Sequence, residues 1–180
     1  LSAFEELAIK PEDIGLRENI LSKAQTLVEK LNRTSEQLSE ARNELATQIS
    51  LNVNQINSLL AEVANLNKSI ANSKTLSQTE AQTYVDQRQL KLEELSKLAG
   101  VTVSFEQDGS ANVFLNGMNL ITGSNYNELR RVDLNNSASG EITIAIEIYD
   151  KAKDLATRVT PQNGELASNL KHFNETLDPL

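Results

Sequence analysis

One histidine, His172, and no cysteine occur in the 180 residues. Cys–His nucleophiles, thiolate metal sites and multi-histidine metal sites are therefore impossible. A Ser–His–acid triad would have to use His172, which sits in an amphipathic stretch with Leu166, Leu170 and Phe173. That setting reads as a solvated or packing side chain rather than a general base. Adjacent carboxylates occur at Glu5-Glu6, Glu12-Asp13 and Glu93-Glu94. Acid–base work needs a cleft that sets two pKa values apart, and these pairs fall at helix starts or on polar helix faces. The glycines fall in turn signals, and no GxGxxG or phosphate-binding loop is present. The sequence thus assigns no catalytic, cofactor-binding or metal-ligating residue, and neither a metal nor a nucleotide is expected to bind with function.

Composition points the same way. A net charge of −8 argues against nucleic acid, because phosphate binding needs clustered Lys and Arg, and here they are scattered among acids. Hydrophobic content is 39% with no Trp, which suits a thin core along helix seams. No run approaches the ~18 consecutive apolar residues of a membrane span. The opening Leu1-Ser2-Ala3-Phe4-Glu5-Glu6 has neither an initiator Met nor the basic-then-apolar order of a secretory signal. It reads as part of something longer.

The elements that would carry any function are mostly helical. Phe4, Leu7 and Ala8 mark the end of a short helix, and Pro11-Glu12-Asp13 is a helix opening in which Pro suits the first turn. From there to Ala71 no proline occurs, and Gly15 is the only glycine. A helix over about 13–72 would be ~87 Å long, the length of a coiled coil or filament component. Ile49, Val53, Ile56, Leu60, Val63, Asn67 and Ile70 alternate steps of four and three, a heptad stripe that Leu59 and Leu66 broaden. Upstream, Leu38 to Ile49 is an eleven-residue step that keeps one face of a nearly straight helix. Asn67 in the seam either fixes register or hydrogen-bonds at a wet edge. Residues 72–75 break the helix, and Ser77-x-x-Glu80 is a capping box for a second one to about Ala99, ended by Gly100. A short loop makes two such helices antiparallel neighbours.

The period then changes to two. Val101, Val103 and Phe105 alternate with polar residues, Asp108-Gly109 signals a hairpin, and Ala111, Val113 and Leu115 alternate again before Asn116-Gly117. Residues 129–134 are a candidate strand, followed by a flexible loop over 135–140. Ile142, Ile144, Ile146 and Ile148 form the cleanest half-buried stripe. Leu155, Thr157 and Val159 can pair with it, or 150–158 can form a helical turn. Residues 165–177 read as a final helix. The expected fold is α+β, mainly α: an elongated antiparallel bundle of long helices with a small antiparallel β region. Its organisation is a helical shaft over 1–100, a hairpin-rich region over 101–160 and a return helix over 161–180.

Three stretches together resemble the flagellar hook-associated protein family of the hook–filament junction. The first is Phe4, Leu7-Ala8, Pro11, Asp13, Arg17, Leu21, Ala24, Leu27 and Leu31-Asn32. The second is Val53-x-x-Ile56-Asn57-x-Leu59 with Val63-Ala64-x-Leu66-Asn67-x-x-Ile70. The third is Asp86-Gln87-Arg88, Leu92 and Glu94-Leu95-Ser96-x-Leu98, leading into Val101-x-Val103 and a hairpin that ends near Leu120-Ile121-x-Gly123. The resemblance covers about residues 4–123. It departs at Gln89, where the family usually has Asp, at Asn163-Gly164-Glu165-Leu166, which only partly matches a Gly-Gly-x-Leu turn, and at Phe173-Asn174, where Arg-Asp is usual.

What the resemblance implies is a structural subunit, exported unfolded through the flagellar secretion channel and assembled outside the cell as an adaptor between hook and filament. It implies no enzyme activity and no cofactor. The implied partners are other flagellar axial proteins (hook protein, second junction protein) and copies of itself in a ring, with no nucleic acid and no membrane. The terminal helices that carry ring assembly in that family are absent here, so this chain alone is expected to be monomeric. Competing readings are the second junction protein or a flagellin, an unrelated coiled-coil adaptor, and, last, an enzyme with a cleft in the β-rich part.

Overall fold

The computed structural model describes residues 2–72, 78–137 and 141–176. The fold is α+β and mainly α. Helix α1 spans Ser2–Ile9, α2 spans Ile14–Ala71 and α3 spans Gln78–Ala99. The strands are β1 (Thr102–Phe105), β2 (Ala111–Leu115), β3 (Met118–Thr122), β4 (Asn125–Tyr126), β5 (Glu128–Asn136), β6 (Glu141–Asp150) and β7 (Leu155–Val159). Helix α4 (Glu165–Lys171) runs into a π-helical turn, His172–Thr176.

Pro11 lies ahead of α2 rather than in its first turn. Asp13 caps the helix instead, its Oδ1 accepting the Leu16 N–H at 3.2 Å, which satisfies one of the unpaired N–H groups of a helix start. Arg17 Nε donates to Pro11 O at 2.8 Å and ties the turn to the helix. The proposed capping residue Ser77, most of the 72–75 break, residues 138–140 of the loop and Leu177 lie outside the described residues.

By contact the chain gathers into two compact units, Leu1–Asn43 and Glu44–Leu180. In the second unit, α2 from Ile49 onward, α3, both sheets and α4 share one buried cluster. The three sequence regions 1–100, 101–160 and 161–180 therefore all contribute to that unit. Ile49, Ile56, Leu60 and Val63 on α2 and Leu95 on α3 are fully buried, as the heptad stripe demands. Arg88 reaching Asn67 and Lys91 reaching Glu62 at 3.1 Å put α3 antiparallel to α2, since the residue numbers run in opposite senses.

The strands form two antiparallel sheets, one ordered β1-β2-β3-β4 and one ordered β5-β6-β7. Asn116 (φ 48°) and Gly117 (φ 80°) make the two-residue β2–β3 turn with both centres left-handed, the conformation Asn-Gly favours. Several expectations shift. Phe105 does not face the core but is 61% exposed, because β1 is an edge strand and the Arg88 guanidinium meets the Phe105 ring 5.4 Å from its centroid. Strand β5 continues to Asn136, through what reads as loop, because it pairs with β6 along its whole length, Glu128↔Tyr149 to Asn136↔Glu141. Residues 155–159 are a strand paired with Ile146–Asp150, and the chain turns over 151–154 instead of making a helix. The final helix is α-helical only to Lys171.

Candidate functional site

The chemistry-bearing residues are not brought together. His172 is exposed on the π-helical turn. Glu5 and Glu6 are on α1, Glu12 and Asp13 on the turn after it, and Glu93 and Glu94 on α3, all exposed. Among the described residues no group of three or more His, Cys, Asp or Glu could hold a metal ion. Open grooves lie among the described residues of the second unit. One of ≈ 730 Å³ runs past Tyr126, Lys151 and Leu155, and one of ≈ 620 Å³ runs past Val159, Pro161 and Lys171. Neither holds a buried polar group without a partner, for none exists among the described side chains.

What the fold does build is a set of buried or half-buried amides between helices and sheets. Asn67, 1% exposed, donates from Nδ2 to Ala111 O at 2.8 Å and to Gly123 O at 2.6 Å. Its Oδ1 accepts the Ala111 N–H at 3.0 Å and Arg88 Nη1 at 2.8 Å. Asn57 treats β5 the same way: Nδ2 donates to Leu129 O at 2.9 Å and Oδ1 accepts the Leu129 N–H at 2.8 Å. Asn174 repeats it on β6, with Nδ2 to Ile144 O and Oδ1 from the Ile144 N–H, both at 2.9 Å. In each case one carboxamide pairs with both backbone groups of one strand residue, as the next strand would. Only an amide offers a donor and an acceptor side by side. An unpaired N–H or C=O at these places would cost about 1–3 kcal/mol. The pairing also closes off strand positions that would otherwise present open hydrogen-bonding groups.

Arg88 completes the node. Besides Asn67 it donates to Gly109 O at 2.6 Å in the β1–β2 turn. Burial pulls its guanidinium below the ordinary value while Asp108 pushes the other way, and it stays charged. The Ser110 hydroxyl and N–H hold Asp108 below the usual carboxylate range. Asn67 is thus not a wet-edge residue. It joins α2 and α3 to the start of β2 and to the β3–β4 turn of the first sheet.

Sequence reasoning singled out Asn67, gave Asn57 and Arg88 places in motifs without a partner for either, and noted Asn174 only as a departure from the family pattern. One signal was available for Arg88: it continues the stripe Ala81, Val85, Leu92, Leu95 at the steps of four and three, and a charge on an apolar stripe needs a buried partner. The departures also find places. Gln89 Nε2 bonds Glu93 on an exposed face at 3.0 Å, while Phe173 is buried in the core.

The Flagellar hook-associated protein FlgK helical domain family matches residues 1–180, the whole chain. The chain is 29% identical over 179 residues to flagellar hook-associated protein 1 of Bacillus subtilis (strain 168), a match covering 97% of this chain and 30% of that protein. It is 29% identical over 133 residues to flagellar hook-associated protein 1 of Salmonella typhimurium, covering 73% of this chain and 24% of that protein. Among solved structures, the flagellar hook junction protein FlgK from Burkholderia pseudomallei superposes with a TM-score of 0.74 at 29% identity, over 94% of this chain and 31% of that chain. The chain thus spans less than a third of each of these relatives. With one family model spanning every residue and a similar fold in a solved relative, this chain belongs to the flagellar hook-associated protein FlgK helical-domain family.

Proposed function

We propose that this chain is part of a structural subunit of the bacterial flagellum, exported and assembled outside the cell as an adaptor at the hook–filament junction, and that it performs no catalysis. Beyond family membership, one observation supports the assembly role. On the part of α2 that belongs to the first unit, Ile20, Ala24, Leu27, Leu31, Thr34, Leu38 and Ala41 recur at alternating steps of four and three. That is a coiled-coil seam. Leu27 is 58% and Leu31 60% exposed, as are, to similar extents, the flanking Leu21 and Val28. Exposed apolar stripes of this kind mark surfaces that other protein covers. The partners fitting the reading are other axial proteins and further copies of the subunit.

The test is Leu31→Glu in the full-length subunit, supplied to cells lacking the native one. Loss of motility and of attached filaments is expected, with the thermal unfolding of the isolated chain little changed, since Leu31 is 60% exposed in it. Normal filaments with Leu31→Glu would sink the assembly reading.

This chain by itself is expected to stay monomeric. The stripe Ile49–Asn67 is buried within the same chain by α3, the sheets and α4, at far higher effective concentration than a second copy offers. The remaining seam carries Ala24, Thr34 and Ala41 at three of its seven positions, which leaves little apolar area for two helices to bury. The net charge of −8 adds repulsion. Light scattering at roughly 100 µM, well above a micromolar Kd, should give the mass of one chain. A stable dimer or ring there would show that the seam drives association unaided.

A further inference from the structure

Asn57 and Asn67 lie ten residues apart on α2, about 15 Å along the helix. Asn67 holds Ala111 at the start of β2, and Asn57 holds Leu129 in β5. Everything between those two points must fit the spacing set by one helix. The β2–β3 hairpin meets it with a one-residue irregularity. Next to the turn Leu115 faces Met118 and Phe114 faces Asn119, but Val113 then faces Ile121, which leaves Leu120 as an extra residue on β3. This is a β-bulge.

The side chains at the far end fit the bulged register. Continuing it sets Asn112 opposite Thr122 and Ala111 opposite Gly123. There Asn67 Nδ2 bridges the Ala111 and Gly123 carbonyls, and Asn112 Oδ1 accepts the Gly123 N–H at 3.0 Å. A regular hairpin would instead set Asn112 opposite Ile121 and Ala111 opposite Thr122. Strict alternation would then put Ile121 on the face of exposed Asn119, whereas in the bulged hairpin Leu120 and Ile121 are both fully buried.

We propose that the Asn67 carboxamide selects between two registers of this hairpin, bulged and bulge-free, and so sets the register in which the first sheet joins α2. Without the amide, the bulged register strands the Ala111 N–H and carbonyl and the Gly123 carbonyl. The bulge-free register gives Ala111 a backbone partner at Thr122 but turns Ile121 toward water. A slip would carry the β3–β4 turn about 3.3 Å along the strand direction, against the anchor at Leu129. Asn67 therefore acts as a positioning residue for the first sheet through its bonds to Ala111 and Gly123.

Cross-strand NMR contacts in the whole chain decide the matter. The parent is expected to show residue 112 facing Thr122 and residue 111 facing Gly123. Asn67→Ala is expected to show a second set of signals, with 112 facing Ile121 and 111 facing Thr122, at roughly 10% of molecules or more. Should Asn67→Ala fail to fold, Asn112→Ala carries the test. It removes the bond to the Gly123 N–H together with the Nδ2 bond to Glu106 across the β1–β2 hairpin but leaves the Asn67 clamp in place, and saturation-transfer NMR should reveal the same bulge-free state as a minor population. Folded Asn67→Ala in the parent register alone overturns the proposal, as does Asn112→Ala in that register alone when Asn67→Ala does not fold.

Discussion

Replacing Ile56 with Pro is expected to lower the melting temperature of this chain by roughly 10–30 °C, given ~2–4 °C per kcal/mol for a chain of this size. Two losses coincide. Ile56 is in the interior of α2, so Pro removes the N–H that bonds four residues back and drives its ring against the Asn52 carbonyl, about 3 kcal/mol or more. Ile56 is also fully buried among the seam residues, and truncating such a side chain costs about 2–5 kcal/mol. The kink would fall where it does most harm. Asn52 is bonded to Glu165 at 3.2 Å and Asn169 at 2.9 Å in α4, and Asn57 is the clamp on Leu129. Ile56→Ala isolates the side-chain part, so the difference between the two variants measures the helix itself. Circular dichroism melts of all three proteins make the comparison. Ile56→Pro melting within a degree or two of the parent would mean that α2 is not continuous there.

Gly164→Ala is expected to cost about 2–6 kcal/mol, the sum of two effects. Gly164 has φ +90°, where an L side chain is strained by about 1–3 kcal/mol. Its position also has no room. A Cβ there would lie 2.7 Å from the Leu98 carbonyl oxygen and 2.9 Å from the Ala99 nitrogen, and backbone in the last turn of α3 cannot yield as a flexible side chain would. Relieving that overlap costs about 1–3 kcal/mol more. The approach is mutual, since a Cβ on Gly100 (φ +59°) would come within 2.6 Å of Asn163. The end of α3 and the start of α4 therefore meet backbone to backbone, which accounts for the glycine of the Asn163-Gly164-Glu165-Leu166 turn. Gly117 supplies the control: its φ is +80° with nothing within 4 Å of a new Cβ. Urea unfolding should place Gly117→Ala within about 1–3 kcal/mol of the parent and Gly164→Ala well below it. Equal losses at the two sites would show that the α3–α4 contact gives way freely.

The local elements were legible in the residues because the interactions that make them are local. Steps of four and three from Ile49 to Asn67 specify a buried helical face whatever lies against it. Asp108-Gly109 and Asn116-Gly117 specify turns through their own backbone preferences, and the alternation over 142–148 specifies a strand. The ordered motifs from Phe4 to Gly123 pointed to the family that the whole chain matches. Tertiary structure alone decided what the asparagines do. An amide has the same preferences on a wet face and a dry one, and the partners of Asn57 and Asn67 lie 72 and 44 residues away in the chain. It also decided that 155–159 is a strand, because β6 was there to pair with it, against a local pattern that allowed a helical turn. The same holds for the extra residue in β3. No feature of Met118–Thr122 by itself calls for a bulge; it arises where a hairpin must meet backbone positions held by a helix, a constraint that exists only once both have packed.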